Sequence, residues 1–371
     1  METKNNKQKR KCFSVKSYQK ENIFQKSIDL YFFDDMMKIN QIKTNPKKRK
    51  TNANEEVTKM RPEELKKALE GICAIAVTPM TDERKVDYGK VKNHIRFLIN
   101  KGINRDNNCT LVVGGSTGEC GALTIAERKK LIETAVEEAG EELPIIAGCN
   151  HSNIEDVKDL MAHAEQAGAA GVMVLSPYYY VPTDEAVLRF YKEISKAANI
   201  GILLYNNLEV THKDVPVEVM EQLVGASNVV GIKECTPNFA KMEKVARKLG
   251  DKITVINGHG EFLEPFAAVA GTKGFISSTS NFAPEIAVEM WKARSAGDYV
   301  KAKQIRDRLT PYLDLAAAES ATGGEPVVLA ILKRAATLVG SDCGPGRIPL
   351  PDISEELDAK IKAMLKEVGL V

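Results

Sequence analysis

From Gly71 onward, short apolar runs alternate eight times with amphipathic stretches of about 10 to 15 residues, and this alternation constrains the fold more than any other feature. The apolar runs are 72–77, 110–113, 145–147, 171–175, 201–205, 229–232, 253–256 and 274–277. Each is too short for a free-standing helix and too continuously apolar for a strand with one wet face. Strands buried on both faces belong to parallel sheets, and parallel strands need a crossover helix between them. Eight such βα units close on themselves, so the expected fold is an α/β (β/α)₈ TIM barrel. A doubly wound open sheet is the competing architecture. It calls for a dinucleotide or phosphate turn, and neither GxGxxG nor GxxxxGK[ST] occurs in the chain.

Further helical patterns follow the eighth run at 284–318, 326–339 and 354–368, with Pro345, Pro349 and Pro351 breaking the chain before the last. The expected organisation is a barrel over 61–283, with residues 284–371 as additional C-terminal helices packed on it and no second domain. Residues 1–60 read as a disordered basic leader, rich in Lys, Asn and Gln and without sustained periodicity. A competing reading starts the native protein at Met60. The run Pro46-Lys47-Lys48-Arg49-Lys50 has the composition of a nuclear-localisation or polyanion-binding signal.

Charge separates the leader from the rest. The leader holds 15 Lys and Arg against 7 Asp and Glu, while the whole chain has a net charge of only +2, so the body is mildly acidic. A nucleic-acid surface would need a basic stripe on the folded part. The seven cysteines form no CxxC pair and five lie in or beside apolar runs, the pattern of reduced thiols in a cytoplasmic protein. No run of about 18 apolar residues is present, which argues against a membrane span.

In a barrel of this kind, chemistry gathers at the carboxyl ends of the strands. Lys233 follows Val229-Val230-Gly231-Ile232 directly, at the rim of an apolar interior where burial is expected to lower its pKa and favour a nucleophilic amine. The competing reading is a structural lysine paired with Glu234. Tyr205 ends the preceding strand, within reach of Lys233, as a phenol able to shuttle protons. Gly114-Gly115-Ser116-Thr117-Gly118-Glu119 ends strand two and suits a carboxylate, since glycines let backbone N–H groups approach and two hydroxyls add donors. The five histidines show no HExxH or other metal-ligand spacing, so no metal or nucleotide cofactor is expected.

These strand ends, with Pro177-Tyr178-Tyr179-Tyr180, Gly231-Ile232-Lys233-Glu234 and the segment 274–281, make residues 70–370 resemble the dihydrodipicolinate synthase and N-acetylneuraminate lyase family of class I pyruvate-type aldolases. The resemblance implies a Schiff-base-forming lyase, in which Lys233 condenses with pyruvate or another 2-oxo (2-keto-3-deoxy) acid. It implies catalytic roles for Tyr205, Ser116 and Tyr179, the last lent to a neighbouring subunit. Thr117, Gly118 and Ile276 would be further substrate contacts, and the assembly a homotetramer built as a dimer of dimers. Two departures bear on the second substrate. Val210 stands where the synthases place an arginine that receives a carboxylate, and Gly260 where the sialic-acid branch has a sugar-binding aspartate. Glu209, His212, His259 and Glu261 are therefore candidate specificity residues for an aldolase, synthase or dehydratase. Authentic 4-hydroxy-tetrahydrodipicolinate synthase, N-acetylneuraminate lyase and a non-catalytic 2-oxo-acid sensor are the alternatives.

Overall fold

The computed structural model describes residues 60–371, and the expected basic leader lies outside the described residues. Eight parallel strands form a closed barrel in chain order, with β1 (Ile72–Ile75) paired to both β2 (Cys109–Val113) and β8 (Gly274–Ser277). Between them lie β3 (Ile145–Gly148), β4 (Gly171–Leu175), β5 (Ile202–Asn206), β6 (Val229–Glu234) and β7 (Thr254–Asn257). Helix α1 (Pro62–Ala68) precedes the barrel. The connections carry α2 (Tyr88–Asn100), α3 (Ile125–Ala139), α4 (Ile154–Ala167), α5 (Asp184–Ile194), a short α6 (Leu208–Thr211), α7 (Val217–Leu223), α8 (Phe239–Leu249) and a short α9 (Phe266–Val269). After β8 come α10 (Pro284–Ser295), α11 (Tyr299–Asp307), α12 (Thr310–Leu338) and α13 (Glu355–Val368). This is the TIM barrel with C-terminal helices that the alternation predicts.

The crossover helices begin where side-chain acceptors meet their free N–H groups: Asp87, Thr124, Asn153, Thr183 and Asn238 each cap the helix that follows. Thr124 also exchanges bonds with Glu127 in a full capping box. Strand side chains divide into two buried layers, one against the helices and one inside the barrel. Leu65 and Leu69, from α1 and its end, are fully buried and belong to the inner layer, so α1 plugs the floor. Glycine makes room for the plug. A Cβ at Gly171 would lie 2.3 Å from Leu65 Cδ2, and one at Gly231 2.7 Å from Leu69 Cδ1.

The tail differs from the helical patterns read in the sequence. The stretch 284–318 divides into α10, α11 and the start of α12, because Gly297 takes a positive φ of 77° and Asp298 caps a new helix. Helix α12 in turn runs past Pro326, with non-helical backbone at Gly324 (φ 66°, ψ −165°). The proline opens the second segment, where its missing N–H breaks no helical bond. Helix α12 is also long and apolar enough on average to cross a membrane, yet Leu329 to Lys333 and Ala335 to Ala336 are buried in the protein core.

Candidate active site

Strand β6 extends through Lys233 and Glu234, beyond the apolar run that announces it, and pairs with β5 so that Tyr205 faces Lys233 and Asn206 faces Glu234. Alternation along a strand sends these two pairs in opposite directions. Tyr205 and Lys233 point into the barrel, each 4% exposed, with Lys233 Nζ lying 3.6 Å from the centre of the tyrosine ring. The π face attracts the ammonium and fixes its place. The phenol oxygen accepts a hydrogen bond from Asn207 Nδ2 at 2.8 Å.

The outward pair is structural. Glu234, fully buried, accepts from Asn206 Nδ2 at 3.1 and 3.0 Å and from the Thr236 backbone at 2.9 Å, with Lys241 Nζ 3.7 Å away. Asp214 also bonds Asn206 and Lys241. Glu234 therefore has its own partners, and a Lys233–Glu234 ion pair is not formed.

Burial drives the Lys233 ammonium toward its neutral form, while Tyr205, Cys235 and Cys73 oppose it and leave the lysine above its ordinary value. The expectation of a lowered value is thus corrected, because it counted desolvation without the acids that share the pocket. Burial in turn pushes the Tyr205 phenol up to about 12, against the pull of the Lys233 charge and the Asn207 hydrogen bond. It raises the thiols of Cys73 and Cys235 to about 11. Groups coupled this closely titrate as a set, with proton exchange inside it.

The β2 loop leaves a row of backbone amides unpaired. Gly114 (φ 64°) and Glu119 (φ 59°) turn the chain at its two ends. Among the described residues, no backbone acceptor takes the N–H groups of Ser116, Thr117 or Gly118, and no side-chain hydrogen bond occupies the two hydroxyls. Three successive free amides with two hydroxyls suit a carboxylate. Behind the loop, buried Glu119 accepts from Lys333 Nζ at 2.7 Å and from the Arg347 backbone at 2.7 Å. Lys333 also donates to Thr78 O, and Thr78 Oγ1 to Gly118 O. The C-terminal helices thereby hold the nest from behind.

The remaining candidates fall into four groups. Ile276 is buried in the same inner layer as Tyr205, and Val210 packs against it. Glu209 and His212 lie exposed on and just after α6, and His259 bonds Thr236 O through Nε2 at 2.8 Å. Glu261 is buried and accepts from Ser277 Oγ and Thr279 Oγ1 at and after the end of β8, so its carboxylate is already engaged. Tyr179 is 76% exposed and its ring packs on Tyr180, itself 81% exposed, so within one chain it is not brought to the Lys233 pair.

Two residues went unnoticed in the sequence. Asn207 bonds the phenol, and its own signal was its place ahead of α6, where Asn is a favoured cap. Glu325 follows the bend at Gly324, is exposed, and couples to the Lys233 charge. Partial desolvation of its carboxyl, reinforced by Glu209 and opposed by Lys233, holds it above the ordinary carboxylate range.

Residues 68–368 match the profile of the Dihydrodipicolinate synthetase family. A 4-hydroxy-tetrahydrodipicolinate synthase from Methanosarcina mazei is 32% identical over 303 residues, which are 81% of this chain and 99% of the relative. The crystal structure of dihydrodipicolinate synthase from Aquifex aeolicus is 30% identical and superposes with a TM-score of 0.74 over 81% of this chain and 98% of that one. The chloride-inhibited enzyme from Acinetobacter baumannii, complexed with pyruvate, is 26% identical with a TM-score of 0.74 over 82% and 100% of the two chains.

Proposed function

Since this chain belongs to the Dihydrodipicolinate synthetase family, a family of pyruvate-using lyases of class I aldolase type, we propose that Lys233 is its imine-forming residue and Tyr205 its proton relay. The observation that carries the assignment is the buried Lys233 ammonium on the face of the Tyr205 ring, with Glu234 engaged elsewhere. The A. baumannii relative was solved with pyruvate, which supports a 2-oxo acid as the first substrate here.

In the proposed sequence the carboxylate of the 2-oxo acid rests on the Ser116–Gly118 nest, with Ser116, Thr117 and Ile276 against it. The neutral Lys233 amine attacks the ketone carbon, giving a carbinolamine. Tyr205 donates its proton to the carbinolamine hydroxyl, which leaves as water, and the nitrogen lone pair completes the imine. The Tyr205 phenolate takes a proton from the adjacent carbon, giving an enamine whose carbon attacks an aldehyde; in the reverse direction, cleavage of that carbon–carbon bond releases the aldehyde and leaves the enamine. The imine is itself the electron sink, so this chemistry calls for no cofactor.

Val210 beside the inner layer and the carboxylates of Glu209 and Glu325 favour a neutral, hydroxyl-bearing second half, as in a 2-keto-3-deoxy sugar acid. His212 and His259 complete the set of candidate specificity residues. Curated relatives named 4-hydroxy-tetrahydrodipicolinate synthase support that reaction as the second reading, against which stands the absence of a cation at Val210. Exposed Tyr179 and Tyr180 support a homotetramer in which Tyr179 enters a neighbour's site, and free thiols suit the cytoplasm.

Borohydride reduction in the presence of pyruvate tests the assignment. A covalent mass on a peptide containing Lys233, lost in Lys233→Ala, is expected. An active preparation that gives no adduct, or gives it elsewhere, overturns the reading.

A further inference from the structure

We infer that Asn207 is a positioning residue for the proton relay, one that couples the Tyr205 phenol to the loop carrying Glu209 and Val210. The inference rests on the imine reading above. Asn207 uses both ends of its amide. Nδ2 donates to the Tyr205 oxygen at 2.8 Å, and Oδ1 accepts from the backbone N–H groups of Glu209 at 3.0 Å and Val210 at 3.3 Å. The acceptor end caps α6, and the donor end settles the phenol.

The direction of that last bond matters for chemistry. A phenol oxygen has one hydrogen to give and lone pairs to receive. With a lone pair occupied by an amide N–H, the phenol hydrogen is left to point elsewhere. Proton donation creates a phenolate, and the same N–H stabilises it, because hydrogen bonds to a developing charge are stronger than those to a neutral group. Lys233 on β6, Cys235 just after it, Cys73 on β1, Glu325 on α12 and Glu209 on α6 are the other titratable groups around the pair. Of these only Lys233 is positive. Among the described residues, Asn207 is thus the neutral side chain that donates to the phenol, and it favours the ionised form without competing for its proton.

The same amide bridges two functions. Because Oδ1 holds the first turn of α6, a second substrate that shifts Glu209 or Val210 pulls on the residue that orients the phenol. The relay is therefore set by the loop that contacts the second half of the substrate.

Asn207→Asp and Asn207→Ser separate donor from cap, since both keep an oxygen acceptor for α6 but neither supplies the amide N–H. With wild type as control, the rate of reductive trapping of pyruvate and the exchange of its methyl hydrogens with deuterated water are measured against pH, beside thermal midpoints. The expected result is a loss of about ten- to a hundredfold in both rates. The alkaline limb moves to higher pH, furthest in Asn207→Asp, because the phenol loses a stabiliser of its ionised form and there gains an anionic neighbour. Midpoints stay within about 3 °C of wild type. Wild-type rates and profile in both variants overturn the inference while leaving Lys233 in its role. Rates lost only in step with the midpoint in both assign Asn207 to capping alone, which also overturns it. No adduct in the wild type removes the imine reading, and this inference with it.

Discussion

Glu119 and Lys333 meet at 2.7 Å across 214 positions of sequence, both buried, so the turn after the second strand is pinned by α12. Lys333→Met keeps the length of the side chain and strands the carboxylate. Breaking one half of a buried pair costs about 3 to 5 kcal/mol, more than the pair itself contributes over apolar substitutes. Urea unfolding of Lys333→Met should show a loss of that size, and Glu119→Gln combined with it should regain a good part. Equal losses in the single and double variants would mean that the stranded charge is not the cause.

Tyr205→Phe keeps the ring under Lys233 and removes the phenol hydrogen. The expected outcome is a fall in kcat of about 10² to 10⁴, the usual worth of a general acid–base group, with pyruvate KM changed far less. Adduct mass on Lys233 should still appear after long trapping, because the nucleophile is intact. A variant with wild-type kcat would remove Tyr205 from the relay.

The upward direction of Lys233 sets the pH dependence of imine formation. The reactive form is the neutral amine, and a lysine held above its ordinary 10.5 is protonated throughout the neutral range. Below its pKa the amine fraction gains about tenfold for each pH unit. The logarithm of the trapping rate with saturating pyruvate should therefore rise with a slope near one from about pH 7 to 9. Burial acting alone would have lowered the lysine and produced a plateau inside that window. A plateau there would show that Tyr205, Cys235 and Cys73 do not hold the proton.

The barrel was legible because it is written in local pattern: eight apolar runs, each bounded by a turn, leave little else for the chain to do. Lys233 and Tyr205 could be read for the same reason, since a strand end tells where a side chain points. Their electrostatics could not. The shift of Lys233 depends on Cys73, 160 positions upstream, and on the ionisation of Tyr205, neither of which spacing reveals. Nor could the role of Glu325 be read, because a gap between helical patterns at 318 and 326 marks a break without saying that the residue between them couples to the Lys233 charge. Glu261 looked like a specificity residue from its motif, and only the hydroxyls of Ser277 and Thr279 disclose that its carboxylate is already engaged.

Val210 offers the clearest test of the second substrate. Its side chain packs on the inner layer that holds Tyr205, and its chain neighbour Glu209, exposed, is negative. An aldehyde bearing its own carboxylate meets repulsion there and no cation, whereas one bearing hydroxyls meets acceptors. Wild type should accordingly release pyruvate from 2-keto-3-deoxy acids with a neutral polyhydroxyl tail in preference to condensing pyruvate with a carboxylate-bearing aldehyde. Val210→Arg supplies a guanidinium able to take a carboxylate on two N–H bonds, worth about 1.5 to 3 kcal/mol for a charged hydrogen bond. It should shift the ratio of kcat/KM for the two classes by about tenfold or more toward the carboxylate-bearing aldehyde. The sign of the change is informative because Glu209 competes for the same arginine, so Val210→Arg combined with Glu209→Gln should shift the ratio further. Efficient turnover of the carboxylate-bearing aldehyde by the wild type would show instead that its charge is received elsewhere in the mouth, and would favour the synthase reading.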